Sequence, residues 1–270
     1  MLDSNLLTLT NLLKNAVVLT TAFLLYGESE YPVTSFIKGK VEVIDKTDPK
    51  NPRFFDLESN TTIDSNKLLA TGKGSRFELR QNNDYWRLGS LSVCRWKDPN
   101  SFWLHSGSAL FCTTEETKIH IGSRETNATF RGKGTIIIEA TSNGGFKIIP
   151  LEAKGTLSTE KGGVKDLIGG RLLLVLGNPT EFGDAYDIDI MLLLKSSRLI
   201  NAFPSALPTF ERIGLAVYVQ ELKLKGKYDA LIGDATTNEN LQLWKFGNIT
   251  GNQPKEAGSP KGFFGKFFNK

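Results

Sequence analysis

The stretch RFELRQNNDYWRLGSLSVCRW, residues 76–96, decides the fold class of this chain. Apolar and polar side chains alternate through 76–80, 86–88 and 92–96. A period of two residues is typical of a β-strand with one buried face. Asn82, Asn83 and Asp84 separate the first two segments as a hairpin turn does. The stretch therefore predicts consecutive β-strands joined by short turns.

The same pattern extends in both directions from this stretch. Turn-forming residues fill 46–52, and further strand candidates are 41–44, 101–104, 109–112, 118–121, 135–140, 147–149 and 171–176. Many short strands at a spacing of about 8–12 residues indicate an all-β architecture. We therefore predict a mainly β body over residues 33–177, with short strands stacked as a β-solenoid or as a sandwich.

The hydrophobic period becomes helical after residue 179. Apolar residues between 188 and 203 form a helical stripe that ends before Pro204, and a second helix is predicted over about 210–224. This second helix would carry its apolar side chains on one face, at Ile213, Ala216, Val217 and Leu222. We predict a small α-containing segment over 180–245, followed by a flexible tail over 251–270 that is basic and aromatic.

Composition places the chain among ordinary globular proteins and excludes several classes of function. It has 270 residues, 40% hydrophobic and 23% charged, with two cysteines and two histidines. These counts exclude a disulfide scaffold and a zinc site built mainly from Cys and His. The net charge is +4, and residues 251–270 carry +3 of it. Because the long middle has no concentration of basic residues, we do not expect nucleic-acid binding.

The amino-terminal residues have the pattern of an export signal. Residues 16–26 form an uncharged stretch after Lys14, and about eleven residues suit the apolar part of a signal peptide. We predict a signal peptide over 1–26 and an exported, periplasmic or envelope-associated protein. The alternative is an amphipathic helix packed on the domain through its leucines, which are Leu6, Leu7, Leu9, Leu12 and Leu13.

A glycine-rich stretch suggests a phosphate-binding loop and an acidic stretch suggests a calcium site, but neither has the residue pattern that such a site requires. Residues 131–135, RGKGT, lack the glycine spacing and following helix of a phosphate-binding loop, so they predict a tight turn entering a strand. The acids Glu181, Asp184, Asp187 and Asp189 lack the pattern of a calcium-binding loop, and we interpret them as helix-capping residues.

No catalytic, cofactor-binding or metal-binding residue can be named from the sequence. His105 and His120 are the only imidazoles, and both lie in strand-like alternations without a nucleophile motif nearby. The two carboxylates of a glycosidase come together only in the folded chain, so the sequence would not reveal them. No feature of the sequence supports such a pair. We therefore expect a protein that is not an enzyme and needs no cofactor.

The sequence leaves two questions open: whether Cys94 and Cys112 form a disulfide, and what the four phenylalanines of the tail contact. The two cysteines fall in neighbouring strand candidates, where they would form a disulfide in an exported protein or serve as two small buried groups. The tail alternates aromatic residues with lysines, and it would contact an anionic membrane, dock on a partner or remain disordered. Its aromatic residues are Phe263, Phe264, Phe267 and Phe268.

Short motifs between residues 38 and 175 resemble, in order and spacing, those of FecR-type domains. They include GKVEV at 39–43, LATGKGSRFEL at 69–79, RLGSLS at 87–92 and LHSGSALF at 104–111. Two further motifs follow, one that ends in Gly134-Thr135 and one that ends in Leu151-Glu152. The motif positions are Gly39, Thr71, Gly72, Ser75, Gly89, Gly107, Gly134, Thr135 and Leu151.

The resemblance implies an extracytoplasmic, non-enzymatic β domain that acts as an interaction or scaffold module of the bacterial envelope, with a protein partner. In the signalling members of that family, the domain passes a signal to a cytoplasmic anti-sigma segment. The residues before position 16 are too few for such a segment, so the stand-alone exported members are the better comparison. The alternatives are a signalling component that regulates a sigma factor, and a carbohydrate-binding or carbohydrate-acting protein.

Overall fold

The computed structural model describes residues 31–224, with the side chains of the last two left aside. The predicted signal peptide, the alternative leucine-rich helix, the tail with its four phenylalanines and the last part of the 180–245 segment lie outside the described residues. Within 31–224, no helix is long and apolar enough to cross a membrane.

The described part is mainly β with a small helical segment at its carboxyl end, as the sequence predicts. The strands are β1 (Val33–Lys38), β2 (Val41–Asp45), β3 (Arg53–Asp56), β4 (Lys67–Thr71), β5 (Arg76–Gln81), β6 (Asp84–Leu88), β7 (Val93–Asp98), β8 (Ser101–Ser106), β9 (Ser108–Gly122), β10 (Asn127–Ala140), β11 (Phe146–Pro150), β12 (Lys154–Thr159), β13 (Gly163–Asp166), β14 (Arg171–Leu176) and β15 (Glu181–Asp187). The helices are α1 (Ile190–Ser196), α2 (Arg198–Asn201) and α3 (Phe210–Leu224).

The long hairpin of β9 and β10 belongs to two layers of one continuous sheet. The first half of β9 pairs with β6 and its second half with β8, while β10 pairs first with β12 and then with β11. The first layer therefore has the order β1-β5-β6-β9-β10-β11-β14-β15. The second layer has the order β3-β2-β4-β7-β8-β9-β10-β12-β13.

The two layers pack face to face on an aromatic core. Trp86 of the first layer lies against Trp96 and Phe102 of the second, with ring centroids 5.5 and 4.5 Å apart. All three side chains are buried. Since β6 pairs with neither β7 nor β8, these contacts cross between layers and identify a sandwich rather than a solenoid.

The helices form a third layer on the outer face of the first sheet layer. Ile137 and Leu172 from the sheet pack in one cluster with Leu193, Ile213 and Val217 from the helices. Asp189 caps α1 by accepting a hydrogen bond from the Leu192 amide at 2.9 Å. The architecture is therefore two β layers and one helical layer.

Several local predictions agree with the structure. The predicted helix over 210–224 is α3, and Asn82 and Asn83 form the turn between β5 and β6. The candidate strands 109–112 and 118–121 are two halves of β9. Strand β15 lies in the segment predicted to contain helices, and it extends the sheet beyond residue 177.

The prediction of a tight turn at residues 131–135 is wrong. These residues lie inside β10, which continues from Asn127 to Ala140 with a shift of register between Gly132 and Gly134. The glycines bend a strand instead of ending one, because β12 passes close beside them.

Candidate functional site

Motif residues from distant parts of the sequence converge at one end of the sandwich, in the turns at 38–40, 72–75, 89–92 and 106–108. We call this region the turn end. The Lys40 amide donates a hydrogen bond to Ser75 Oγ at 2.8 Å, which places Gly39 directly against Ser75. The Gly72 amide donates to the Lys40 carbonyl at 2.9 Å. The first two motifs therefore meet although they are far apart in the sequence.

Hydroxyl groups continue this contact across the turn end. Thr71 Oγ1 donates to the Gly89 carbonyl and accepts from the Ser92 amide, both at 2.7 Å. Ser92 Oγ donates to the Ser108 carbonyl at 3.1 Å and accepts from the Ser108 amide at 3.0 Å. Thr71 and Ser92 are buried, so their hydroxyls supply the partners that turn backbone would otherwise lack.

Gly107 allows the β8–β9 turn to close on this network. Its φ is +81°, and a Cβ atom placed there would lie 2.5 Å from Cα of Ser92. The Gly107 carbonyl accepts a hydrogen bond from the Ala140 amide at 3.0 Å, which ties the turn to the end of β10. A side chain at this position would therefore be both strained and blocked.

A cleft of about 480 Å³ opens at the turn end. Its lining includes Gly89, Gly107 and Ser108 from the turns, together with Arg124 and Arg198. Arg124 follows β9, whereas Arg198 begins α2, so the cleft lies between sheet and helices. The size suits a small ligand.

The remaining motif residues, Gly134, Thr135 and Leu151, lie together but away from the turn end. The Leu151 amide donates to the Thr135 carbonyl at 2.9 Å, and Thr135 Oγ1 lies 2.5 Å from Thr209 Oγ1. Thr209 comes directly before α3 and also lies 3.5 Å from Cys112 Sγ. This cluster joins the first sheet layer to α3.

Glu152 borders this cluster and a second cleft, of about 470 Å³, beside α3. Its side chain is only 6% exposed, and Oε2 lies 3.7 Å from Arg212 Nε. Burial raises the pKa of Glu152, while Arg212 and the hydroxyls of Thr135 and Thr209 oppose the rise. Asp187 lines the same cleft.

A buried ion pair between Glu78 and Arg87 holds the helical layer in place. Arg87 Nε donates to Glu78 Oε2 at 2.9 Å, and the two side chains are 0% and 2% exposed. The same guanidinium donates to the Leu199 carbonyl at 3.1 Å and to the Ser205 carbonyl. The ring of Phe203 lies 4.5 Å from it. Arg76 Nε also donates to the Ala202 carbonyl at 2.7 Å, so two arginines of the sheet fix the segment 199–205.

The sequence motifs contain Arg87, but they do not indicate that it pairs with Glu78. A signal was available, because the alternation places both residues on the polar face of the β5–β6 hairpin. A two-residue turn at Asn82 and Asn83 also sets Glu78 opposite Arg87, the register that the structure has. What the pattern does not show is that helices cover this face.

Cys94 and Cys112 are free and lie in different layers. Cys94 packs in the core between the two sheet layers, and Cys112 packs between the first layer and the helices. The disulfide considered from the sequence is therefore not formed, because the side chains point to opposite faces of the sheet. Burial raises the pKa of both thiols. Both cysteines serve as small buried groups.

The histidines and the acidic set have structural positions. His105 lies in β8, and His120 lies in β9 with Nδ1 3.0 Å from Thr129 Oγ1. The interpretation of the four acids as helix-capping residues is correct for Asp189, which caps α1, and wrong for Glu181, Asp184 and Asp187, which lie in β15. Among residues 31–224, no group of three or more His, Cys, Asp or Glu side chains could hold a metal ion.

Helix α3 has apolar side chains on two opposite faces. Ile213 and Val217 are buried against the sheet. Leu215, Tyr218 and Leu222 point away from it and are 63%, 59% and 63% exposed. Residues spaced by three and four positions share one side of a helix, so these three form a continuous stripe. We call it the outer stripe of α3.

Comparisons with known proteins give little beyond this geometry. No family model matches the chain, and no curated protein matches it. Among solved structures, it is similar to a crystal structure described as a putative anti-sigma factor from Parabacteroides distasonis, at 12% identity and a TM-score of 0.35. The match covers 44% of this chain and 59% of that chain. A likeness this slight carries no argument about fold or function.

We predict that Gly107→Ala destabilises the fold much more than Gly74→Ala. Both glycines have positive φ, of +81° and +74°, so both variants carry a backbone cost of about 1–2 kcal/mol. Only at Gly107 does the new methyl group meet Ser92, since the space around Gly74 is open. Urea unfolding measures the difference. Equal losses would show that the packing of the turn end is unimportant.

We predict that Arg87→Ala lowers the free energy of unfolding by about 3–5 kcal/mol, because Glu78 loses its buried partner and the Leu199 and Ser205 carbonyls lose their donor. Arg80→Ala is the matched control, since Arg80 pairs with the same carboxylate but is 38% exposed. Its loss should be about 1 kcal/mol or less. Urea unfolding of both variants provides the test, and an Arg87 variant no less stable than the control would contradict it.

Proposed function

We propose that this chain is a non-catalytic interaction module of the bacterial cell envelope, related to FecR-type domains, that binds a protein partner through the outer stripe of α3. The observation that carries the proposal is the exposure of Leu215, Tyr218 and Leu222 on one side of a helix whose other side is already buried. An apolar surface of this kind on a globular protein marks an interaction site.

The contacts beneath α3 make this surface rigid. Gln220 Oε1 accepts a hydrogen bond from the Ile190 amide at 2.9 Å, and the amide group of the same side chain donates to the Ile188 carbonyl. Ile213 and Val217 pack in the core below. A partner would therefore meet a preformed helix and would lose little binding energy to ordering it. A rigid apolar stripe suits the groove or the helix of another protein.

Envelope location and relation to FecR-type domains rest on the sequence. The uncharged residues 16–26 support export, and the ordered motifs support the family resemblance. Regulation of a sigma factor would require a membrane-retained amino terminus and a partner with the cytoplasmic part. Action on carbohydrate would require two accessible carboxylates about 5–10 Å apart.

Site-specific photo-crosslinking in cells that express the full chain tests the partner surface. With the crosslinking residue at Tyr218, we expect a covalent adduct with one other protein, because the stripe is the contact surface. The control position is Val164 in β13, which is 67% exposed in the other sheet layer and should give no such adduct. Leu215→Ser and Leu222→Ser together should abolish the Tyr218 adduct.

Mass spectrometry of the Tyr218 product decides between the possible outcomes. Crosslinks only to residues 1–30 or 225–270 of the same chain would overturn the proposal, since the chain would then cover its own stripe. The same adduct at Tyr218 and Val164 would overturn it as well, because the capture would be nonspecific.

Intact mass and amino-terminal sequencing after cell fractionation test the location. We expect a mature chain that starts near Gly27 in a soluble extracytoplasmic fraction, because residues 16–26 would direct export and then be removed. An uncleaved chain in the membrane fraction would favour the sigma-factor alternative. An uncleaved chain in the cytoplasm would contradict both the exported module and the sigma-factor alternative.

A further inference from the structure

We propose that the cleft at the turn end is a binding site for an oxyanion, such as a phosphate group or a carboxylate on a small hydroxylated molecule. This site is separate from the outer stripe of α3, and the inference does not depend on the proposed protein partner. It rests on the charge, the lining and the rigidity of the cleft.

The charge of the cleft is one-sided. Arg124, Arg198 and His105 line it, and none of the described residues that line it is acidic. Neither arginine takes part in the ion pairs formed within residues 31–224. Both residues are exposed, so their guanidinium groups are accessible from solvent. Two such groups beside one cavity form a natural pair of donors for an oxyanion.

The surrounding cations add to this positive field. Burial lowers the pKa of His105 first, and the charges of Arg95, Arg124, Lys97 and Lys46 lower it further. The charged neighbours that contribute to this shift are all cations. His105 lines the cleft, and its ring nitrogens can hydrogen-bond to a ligand.

The rest of the lining is suited to a small polar ligand. The hydroxyl-bearing residues of the lining are Ser90, Ser106, Ser108, Thr141 and Ser142. Arginine, serine, threonine and backbone amides are the groups that commonly contact phosphate oxygens. A volume of about 480 Å³ accommodates a ligand the size of a sugar phosphate.

The cleft is formed before a ligand arrives. The bond from the Ala140 amide to the Gly107 carbonyl and the network of Thr71, Ser92 and Ser108 hold the turns that line the cleft. On the other side, the Leu199 carbonyl next to Arg198 accepts from buried Arg87. Binding therefore requires little rearrangement of the backbone.

The second cleft, beside α3, does not have these properties. Lys133, Lys154 and Arg212 line it, but so do Glu152 and Asp187, and Arg212 faces Glu152. Its positive groups are therefore partly neutralised. The comparison favours the turn end as the anion site of this molecule.

Isothermal titration calorimetry on the purified full chain tests the site. The probes are inorganic phosphate, glycerol 1-phosphate and glucuronate, with sodium chloride at matched ionic strength as the blank. We expect saturable binding of at least one probe. Arg124→Gln and Arg198→Gln should each weaken it by about tenfold or more, because each removes a charge-assisted hydrogen bond.

Arg53→Gln provides the matched control, since Arg53 is an exposed arginine on β3 that does not line the cleft. The Arg53 variant should bind the probe with the same affinity as the unmodified chain. All three variants should unfold at the same urea concentration as the unmodified chain, which shows that the fold is intact. Preference for glycerol 1-phosphate would identify a phosphate ester as the ligand class, and preference for glucuronate an acidic sugar. No saturable binding, or binding that survives both cleft variants, would overturn the proposal.

Discussion

The close approach of β10 to β12 at the bend of the long hairpin is the constraint on which the rest of the structure depends. Gly132 pairs with Gly155, and a Cβ atom on either would lie 2.1 Å from a carbonyl oxygen of the other strand. The shift of register between Gly132 and Gly134 bends β10 there. Because β9 and β10 are central in both layers, this bend lets one continuous sheet close on itself as a sandwich.

Local patterns could be predicted from the sequence because their causes are local. The alternation around Trp86 follows from one buried face, and α3 follows from its apolar period. The bend could not be predicted, because Gly155, which makes Gly132 necessary, belongs to a strand further along the chain. RGKGT was therefore interpreted as a turn, the usual meaning of glycines between two polar residues. Strand β15 was not predicted for the same reason, because it forms by pairing with β14 and its own residues do not show this pairing.

The candidate site shows a similar division between what sequence and structure reveal. The motifs supplied Gly39, Ser75 and Gly107 as separate positions, and only the fold brings them together at the turn end. The alternation around Glu78 and Arg87 predicts one buried face for each strand. Glu78 and Arg87 lie under the helices, because the helical segment also covers the outer face of the first layer. No pattern within one strand states which of its faces a later segment will cover.

The Glu78–Arg87 pair links the stability of the fold to the geometry of the turn end. Buried ion pairs often contribute little net stability compared with apolar residues of similar size. The consequence of this pair is positional, since Arg87 binds the Leu199 carbonyl beside Arg198. Arg76 Nε donates to the Ala202 carbonyl of the same segment at 2.7 Å, and Leu199 and Ile200 pack in the cluster below the helices. The arginines add directional bonds to backbone carbonyls, and a purely apolar contact would lack this directionality.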